Sequence, residues 1–207
     1  MRQRVVIFGG SGFVGKSIAK RALANQYQVV SISRSGCPTE EEPWMKQVQW
    51  VSADVFKPEQ WRNQIQTSDI LIDAIGLLLE KKAKGLTYEK YHYELVKMIV
   101  NELIEKQPAL FVYISAAHGL PFFSDYLRWK QAAESYLVKQ DFKVLIIKPS
   151  LLYGKERNYS RLLALPIVYL RKIPGMASII GKLDPQPIDT IGPSVFTQIN
   201  AQLEKMD

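Results

Sequence analysis

Three side chains in the second half of the sequence have the types and the spacing of a proton-transfer site. Tyr126 and Lys130 are four residues apart, so on a helix both side chains lie on one face. Ser115 stands eleven residues before the tyrosine, at the end of an apolar run. A phenol, with a pKa of about 10, transfers a proton poorly at neutral pH unless a neighbouring cation stabilises the phenolate. With Lys130 as that cation and Ser115 polarising the substrate oxygen, the set suits carbonyl reduction or alcohol oxidation.

A glycine-rich segment near the start of the chain matches two nucleotide-binding motifs at once. From Gly9 it has the spacing G-x-x-G-x-x-G of a dinucleotide-binding turn, and from Gly10 the spacing G-x-x-x-x-G-K-S of an ATPase or GTPase phosphate loop. In both cases it follows the apolar run Val5–Phe8 and opens a helix, whose first N–H groups and dipole favour a phosphate. The residues predicted to hold the ligand here are Gly9, Ser11, Gly12, Phe13, Val14 and Gly15.

The phosphate-loop alternative requires Lys16 to reach the outer phosphates and Ser17 to bind magnesium, with Asp73 as the later acidic residue. Against it, Phe13 and Val14 are bulky in the part of the loop that must wrap closely around phosphate. In the dinucleotide interpretation the same two residues begin the helix and pack on the sheet. The sequence therefore favours the dinucleotide turn.

Three later segments stand where a dinucleotide fold contacts its ligand. The second strand ends in Ser33-Arg34-Ser35, about 20 residues after the glycines, where such folds meet the adenosine ribose. An acidic residue at that point selects NAD, whereas Arg34 with the hydroxyl of Ser35 predicts a contact with the 2′-phosphate of NADP. The further predicted contacts, at the ends of the third and fourth strands, are Asp54, Val55, Ala74, Ile75 and Gly76.

Short β-branched runs alternate with longer amphipathic stretches, a pattern typical of βαβ units and a parallel sheet. The predicted strands are Arg4–Phe8, Gln28–Ser33, Gln49–Ala53, Ile70–Ala74, Leu110–Ser115 and Lys143–Lys148. The predicted helices are Gly12–Asn25, Pro58–Gln66, Tyr88–Gln107, Asp125–Gln140, Tyr159–Lys172 and one starting at Pro193. We therefore expect an α/β doubly wound parallel sheet over residues 1–154, and a small C-terminal helical cap or substrate lobe over 155–207. Although the Tyr-x-x-x-Lys spacing also occurs by chance, its place after a fifth strand favours a site.

Composition narrows the class of protein. The net charge is +7, but the basic residues are scattered, which indicates a solvated surface and no nucleic-acid partner. One cysteine excludes an internal disulfide, and no His/Cys/Asp cluster predicts a metal. Because the first strand starts near Met1 and apolar runs are short, we expect no leader and no transmembrane segment. The segment Tyr169–Pro174 is basic and apolar enough to contact a membrane or a partner, although its pattern favours a helix end in the core.

The chain resembles the short-chain dehydrogenase/reductase superfamily in its extended or atypical branch. The resemblance covers nearly the whole chain and rests on Gly9–Gly15, Asp54-Val55, Ala74–Gly76, Tyr126 with Lys130, Lys148–Gly154 and Pro187-Ile188. Within it, Tyr27–Gly36 and Val112–Ala116 are similar to the group of the respiratory complex I Rossmann accessory subunit and a fungal coenzyme Q biosynthesis protein. The resemblance implies that the first loop binds pyrophosphate, that Lys130 also bonds the nicotinamide ribose and that Pro149 lies near the nicotinamide. His92 stands where the superfamily usually has asparagine.

These observations predict an oxidoreductase that prefers NADP(H), with NAD(H) possible, and acts on a small carbonyl or alcohol substrate. A non-catalytic dinucleotide-binding scaffold linked to quinone biosynthesis or respiratory complexes is the alternative, and a phosphate-loop NTPase is the third. We expect a monomer or homodimer, located in the cytoplasm or alternatively in the mitochondrial matrix.

Overall fold

The computed structural model describes residues 3–39, 42–117, 124–155 and 184–205. Its strands are β1 Arg4–Phe8, β2 Gln28–Ser33, β3 Val48–Ser52, β4 Ile70–Asp73, β5 Leu110–Ile114, β6 Val144–Ile147, β7 Leu152–Tyr153 and β8 Gln186–Pro187. Its α-helices are α1 Phe13–Ala24, α2 Leu95–Leu103, α3 Ser124–Leu137 and α4 Ile191–Leu203. A π-helix, Glu89–Glu94, runs directly into α2.

Six parallel strands form one sheet in the order β3-β2-β1-β4-β5-β6. Val6 of β1 pairs with Val30 of β2 on one side and with Leu71 of β4 on the other. Because the strand order reverses beside β1, a crevice opens at the carboxyl ends of β1 and β4, where doubly wound folds bind ligands. This confirms the predicted fold class.

Alternate side chains of each strand enter two cores, one on each face of the sheet. Val6 and Leu71 belong to the core under α2 and α3, whereas Val5 and Ile70 belong to the core under α1 and α4. The C-terminal helix α4 therefore packs on a face of the sheet beside α1. The two helices approach so closely that a Cβ on Gly192 would lie 2.7 Å from the carbonyl oxygen of Ser17.

One predicted helix is wrong. Residues 58–66 form two short 3₁₀ turns, Pro58–Gln60 and Arg62–Gln64, separated by Trp61 in a non-helical conformation. The buried indole of Trp61 donates a hydrogen bond to the carbonyl of Val55 and packs edge-to-face on Phe8 of β1, with ring centroids 5.0 Å apart. This packing overrides a short helical pattern. The predicted helix Tyr159–Lys172 and the segment Tyr169–Pro174 lie outside the described residues.

Within the described residues no helix is long and apolar enough to cross a membrane. The same part of the chain holds no group of three or more His, Cys, Asp or Glu side chains arranged for a metal ion.

Candidate active site

The first glycine loop turns sharply from β1 into α1 and needs glycine at two of its positions. Gly9 has φ +81°, in the left-handed region. Its N–H bonds the carbonyl of Ile32 in β2 at 2.8 Å, and its own carbonyl accepts the N–H of Gly12 at 2.9 Å. A Cβ on Gly15 would lie 2.6 Å from Cα of Gly10, closer than real contacts allow. Gly15 therefore lets α1 pack closely on the glycine loop, and it is not among the described residues that line the cleft.

The N-terminus of α1 has the features of an anion site. Among the described residues no side chain caps Gly12, and the first turn of α1 carries no acidic residue. The N–H groups of that turn and the helix dipole therefore face the cleft at the end of β1. Ser17 points elsewhere, because its hydroxyl donates to the carbonyl of Ile188 at 3.1 Å. This placement gives Ser17 no magnesium-binding role and disfavours the phosphate-loop alternative.

Hydroxyl groups surround the end of β2. Ser11 Oγ lies 2.8 Å from Ser33 Oγ and 2.9 Å from Ser35 Oγ, so loop and strand end are joined by hydrogen bonds. Arg34 is exposed between the two strand-end serines and lines the same cleft. A cation beside three hydroxyls is suited to a phosphate on a ribose.

The segments after β3 and β4 supply all but one of their predicted contacts. Val55, Ala74, Ile75 and Gly76 line the cleft, as the sequence predicts. Asp54 is not among the described lining residues: its carboxylate accepts the N–H of Phe56 at 3.1 Å and so caps the turn after β3.

All these surfaces belong to one cleft of about 710 Å³ at the carboxyl edge of the sheet. That volume falls within the range typical of cofactor and small-molecule sites. The cleft joins the glycine loop at one end to the predicted catalytic residues at the other. The described residues that complete its lining there are Leu77, Leu78, Leu86, Tyr91, Ile114, Ser115, Ala116, Tyr126, Lys130, Pro149, Ser150, Leu151 and Leu152.

Lys130 is buried in α3 with its ammonium aimed at the end of β5. Its Nζ donates to the carbonyl of Ile114 at 2.7 Å and lies 4.5 Å from the ring centre of Tyr113. Burial lowers the pKa of Lys130 to about 8, and the carboxylates of Asp73 and Glu134 oppose that fall. The amine is therefore mostly charged at neutral pH, as a partner of a phenolate must be.

Asp73, at the end of β4, is a buried charge opposite in sign to Lys130. The dinucleotide interpretation of the sequence gives it no role. It is fully buried, one oxygen accepts the N–H of Ile75 at 3.0 Å, and Oδ2 has no hydrogen-bond partner among the described residues. Burial raises its pKa to about 6, and the charge of Lys130 opposes the rise. The only sequence signal for this role is an acidic residue ending an apolar strand.

His92 is also buried, and it positions the tyrosine. Its ring packs edge-to-face on Tyr126, with centroids 5.0 Å apart, and stacks with Tyr88 at 5.9 Å. Nε2 lies 3.1 Å from the carbonyl of Leu77; since a carbonyl only accepts, this nitrogen carries the proton. Burial, reinforced by the charge of Lys130, lowers the pKa of His92 to about 2, so the ring is neutral. His92 therefore acts as a packing residue between the π-helix and Tyr126.

Glu134 completes the site, and sequence reasoning missed it. It follows Lys130 by one helical turn, so Tyr126, Lys130 and Glu134 share a face of α3. Its Oε1 accepts the hydroxyl proton of Ser115 at 2.5 Å, and its Oε2 lies 2.6 Å from Nζ of Lys148. The i+4 spacing after Lys130 was the signal that could have found it.

Fold and cleft together indicate a dinucleotide-binding protein. A family model described as NAD(P)H-binding matches residues 9–165, so the chain belongs to that NAD(P)H-binding family. The chain is similar to UDP-glucuronic acid 4-epimerase from Bacillus cereus, a structure in complex with NAD, with a TM-score of 0.69 at 15% identity. That match covers 96% of this chain and 73% of the epimerase chain, and it shows the shared fold.

The relatives that are similar in sequence include a yeast and a plant protein. MIOREX complex component 2 of Saccharomyces cerevisiae is 30% identical over 209 aligned positions, covering 76% of this chain and 76% of the relative. An uncharacterized chloroplastic protein of Arabidopsis thaliana is 32% identical over 160 positions, covering 75% of this chain. The match covers 52% of the plant protein, so the chain spans about half the length of that relative.

Proposed function

We propose that the chain is an NADP(H)-preferring oxidoreductase of a small carbonyl or alcohol substrate. One observation carries the proposal: Tyr126, Lys130 and Ser115 line the same cleft as the glycine loop. The uncapped N-terminus of α1 fits the pyrophosphate of a dinucleotide, and the cleft is long enough to include both ends of the site.

When bound, the nicotinamide would supply or accept the hydride. Tyr126 donates its phenolic proton to the oxygen of a carbonyl that is being reduced, and takes the proton from an alcohol that is being oxidised. The buried ammonium of Lys130 stabilises the phenolate that this transfer leaves. Ser115 orients the ligand from the end of β5, and His92 holds the Tyr126 ring from behind.

The preference for NADP(H) rests on Arg34. Its guanidinium would pair with the 2′-phosphate, which NAD lacks, and Ser11 and Ser35 would add hydroxyl contacts. Fluorescence titration of the purified chain with NADPH and NADH tests this. We expect Arg34→Ala to weaken NADPH binding by roughly ten- to a hundredfold, the loss of a charge-assisted hydrogen bond, and to leave NADH unchanged.

Arg62→Ala, which removes another exposed arginine, is the matched control and should bind both dinucleotides like the parent chain. Failure to bind either dinucleotide would overturn the cofactor assignment. Equal NADPH affinity in Arg34→Ala would overturn the preference alone.

Tyr126→Phe tests the reaction itself. Against a panel of aldehydes and ketones, we expect substrate-dependent NADPH oxidation to fall by at least about a hundredfold, since general acid catalysis contributes that much. Tyr136→Phe removes a hydroxyl from the same helix and should retain activity. Undiminished turnover in Tyr126→Phe would remove the tyrosine from the mechanism.

A non-catalytic dinucleotide-binding scaffold is the second candidate. The yeast relative is named as a component of a complex, and the proton of Ser115 is bound to Glu134 instead of facing a substrate. This candidate predicts NADPH binding without turnover of any panel substrate, and association with an assembly that Tyr126→Phe does not change but Gly15→Ala abolishes.

A further inference from the structure

The hydroxyl of Ser115 is oriented by a carboxylate outside the cleft. Ser115 is buried at the cleft wall, and Glu134, whose side chain is 13% exposed, stands behind it on α3. The ammonium of Lys148 pairs with the second carboxylate oxygen of Glu134, so that oxygen is already engaged. Glu134 thus links the end of β5 to the residue that follows β6.

The single hydroxyl proton of Ser115 limits the hydrogen bonds that this residue can make to a ligand. A serine hydroxyl has one proton and two lone pairs, while an ionised carboxylate only accepts. Because the proton lies on the bond to Glu134, Ser115 can only accept a hydrogen bond from a ligand in the cleft. A plain ketone offers no proton to that lone pair, whereas a hydroxyl next to the ketone does.

We propose that Glu134 is a positioning residue that makes Ser115 a hydrogen-bond acceptor, so that the site selects substrates with a hydroxyl beside the reacting carbonyl. The inference rests on the proposed function and names a substrate class for it. Ser115 then orients the substrate through this second hydroxyl, and Tyr126 alone serves the reacting oxygen.

Glu134→Gln should reverse the polarity of residue 115. Lys148 can only donate, so it takes the amide oxygen of the glutamine and leaves the amide N–H₂ facing residue 115. That group only donates, so Ser115 must accept from it and turn its own proton toward the cleft. Lys148→Met removes the cation and keeps the carboxylate, so the proton of Ser115 stays on its bond to Glu134.

A thiol at position 115 reports this polarity without cofactor or substrate. Cys37 is the chain's single cysteine and is exposed, so Cys37→Ser with Ser115→Cys leaves one thiol to titrate by its ultraviolet thiolate absorbance. A carboxylate neighbour keeps a thiol protonated. We expect Glu134→Gln to lower the titration midpoint by at least about one pH unit, a tenfold change in the equilibrium, and Lys148→Met to raise it.

Glu105→Gln, which neutralises an exposed carboxylate, is the matched control and should not move the midpoint. An unchanged or raised midpoint in Glu134→Gln would overturn the proposal. Should that variant fail to fold, a lowered midpoint in Lys148→Met would overturn it equally.

Kinetics with NADPH tests the substrate class. We expect 2-hydroxyacetophenone to be reduced with kcat/KM roughly tenfold above that of acetophenone, the worth of one hydrogen bond, and Ser115→Ala to remove the difference. In Glu134→Gln the preference should disappear or invert. A preference for acetophenone in the parent chain would contradict the inferred class. Reduction of neither ketone, with the expected thiol shift, would count against the proposed reduction and support the Ser115 orientation.

Discussion

At the scale of single residues, the candidate site depends on charges that the fold holds away from water. Asp73 and Lys130 are both buried, and each opposes the shift that burial imposes on the other's pKa. Removing either charge leaves the other less compensated in a low-dielectric interior. Asp73 therefore helps to keep Lys130 charged at neutral pH.

The raised pKa of Asp73 makes the free energy of unfolding depend on pH in a definite direction. Its value is about 6 in the folded chain against an ordinary 3.8, so between those values the folded chain holds a proton that the unfolded chain has lost. The stability that Asp73 contributes is therefore full at low pH and is lost as pH rises toward 6. We expect the unfolding free energy of the parent chain to fall relative to Asp73→Asn across that window, measured by urea denaturation.

Asp141→Asn, a change at an exposed carboxylate, provides the comparison and should track the parent chain. Parallel curves for parent and Asp73→Asn between pH 4 and pH 6 would show that the carboxyl titrates normally.

At the scale of elements, the π-helix Glu89–Glu94 is the device that brings His92 to Tyr126. An extra residue in the helical turn rotates the following side chains, and π-helical turns occur often at functional sites. Here the turn also anchors the cleft-lining loop, through the bond from His92 Nε2 to Leu77 and the bond from the Tyr88 hydroxyl to Leu78.

We expect His92→Ala to destabilise the chain by about 2–4 kcal/mol, because it leaves a cavity and removes the hydrogen bond to the carbonyl of Leu77. The loop after β4 should loosen as well, and trypsin should cleave faster after its exposed lysines, Lys81, Lys82 and Lys84. Urea denaturation and mass spectrometry of the fragments measure both effects. Glu89→Ala, at an exposed position of the same π-helix, should change neither, and an unaltered cleavage rate in His92→Ala would rule out the anchoring role.

At the scale of the whole molecule, the C-terminal helix belongs to the core that holds the site. Ile191, Val195, Phe196 and Ile199 of α4 are all nearly inaccessible and pack in the same core as α1. Burying four such side chains contributes about 6–12 kcal/mol, similar to the entire stability of an ordinary domain.

A chain ending at residue 190 should therefore lose cooperative unfolding and NADPH binding, whereas one ending at residue 203 should keep both, as followed by circular dichroism and titration. A chain of 190 residues that folds and binds NADPH would instead support a division at residue 154, with the C-terminal part as a separate lobe.

Much of the fold and of the candidate site is predictable from local patterns. The short, β-branched apolar runs predict all six strands of the main sheet, because a strand that contacts a core on both faces is apolar along its whole length. The helical turns around Trp61 are not predictable in this way, because they depend on the burial of the indole against Phe8, a residue distant in sequence. The π-helix is not predictable either, since its sequence is compatible with an ordinary α-helix.

The sequence by itself determined the glycine loop, the Tyr126/Lys130 pair and the carboxyl edge where they meet, because spacing along a strand or helix decides which side chains share a face. Only the tertiary structure decided the states of those groups. The direction of the Ser115 proton, the neutrality of His92 and the electrostatic interaction of Asp73 with Lys130 depend on residues that are distant in sequence. Hydrogen bonding and burial decide these protonation states, and both depend on how separate helices and strands pack together.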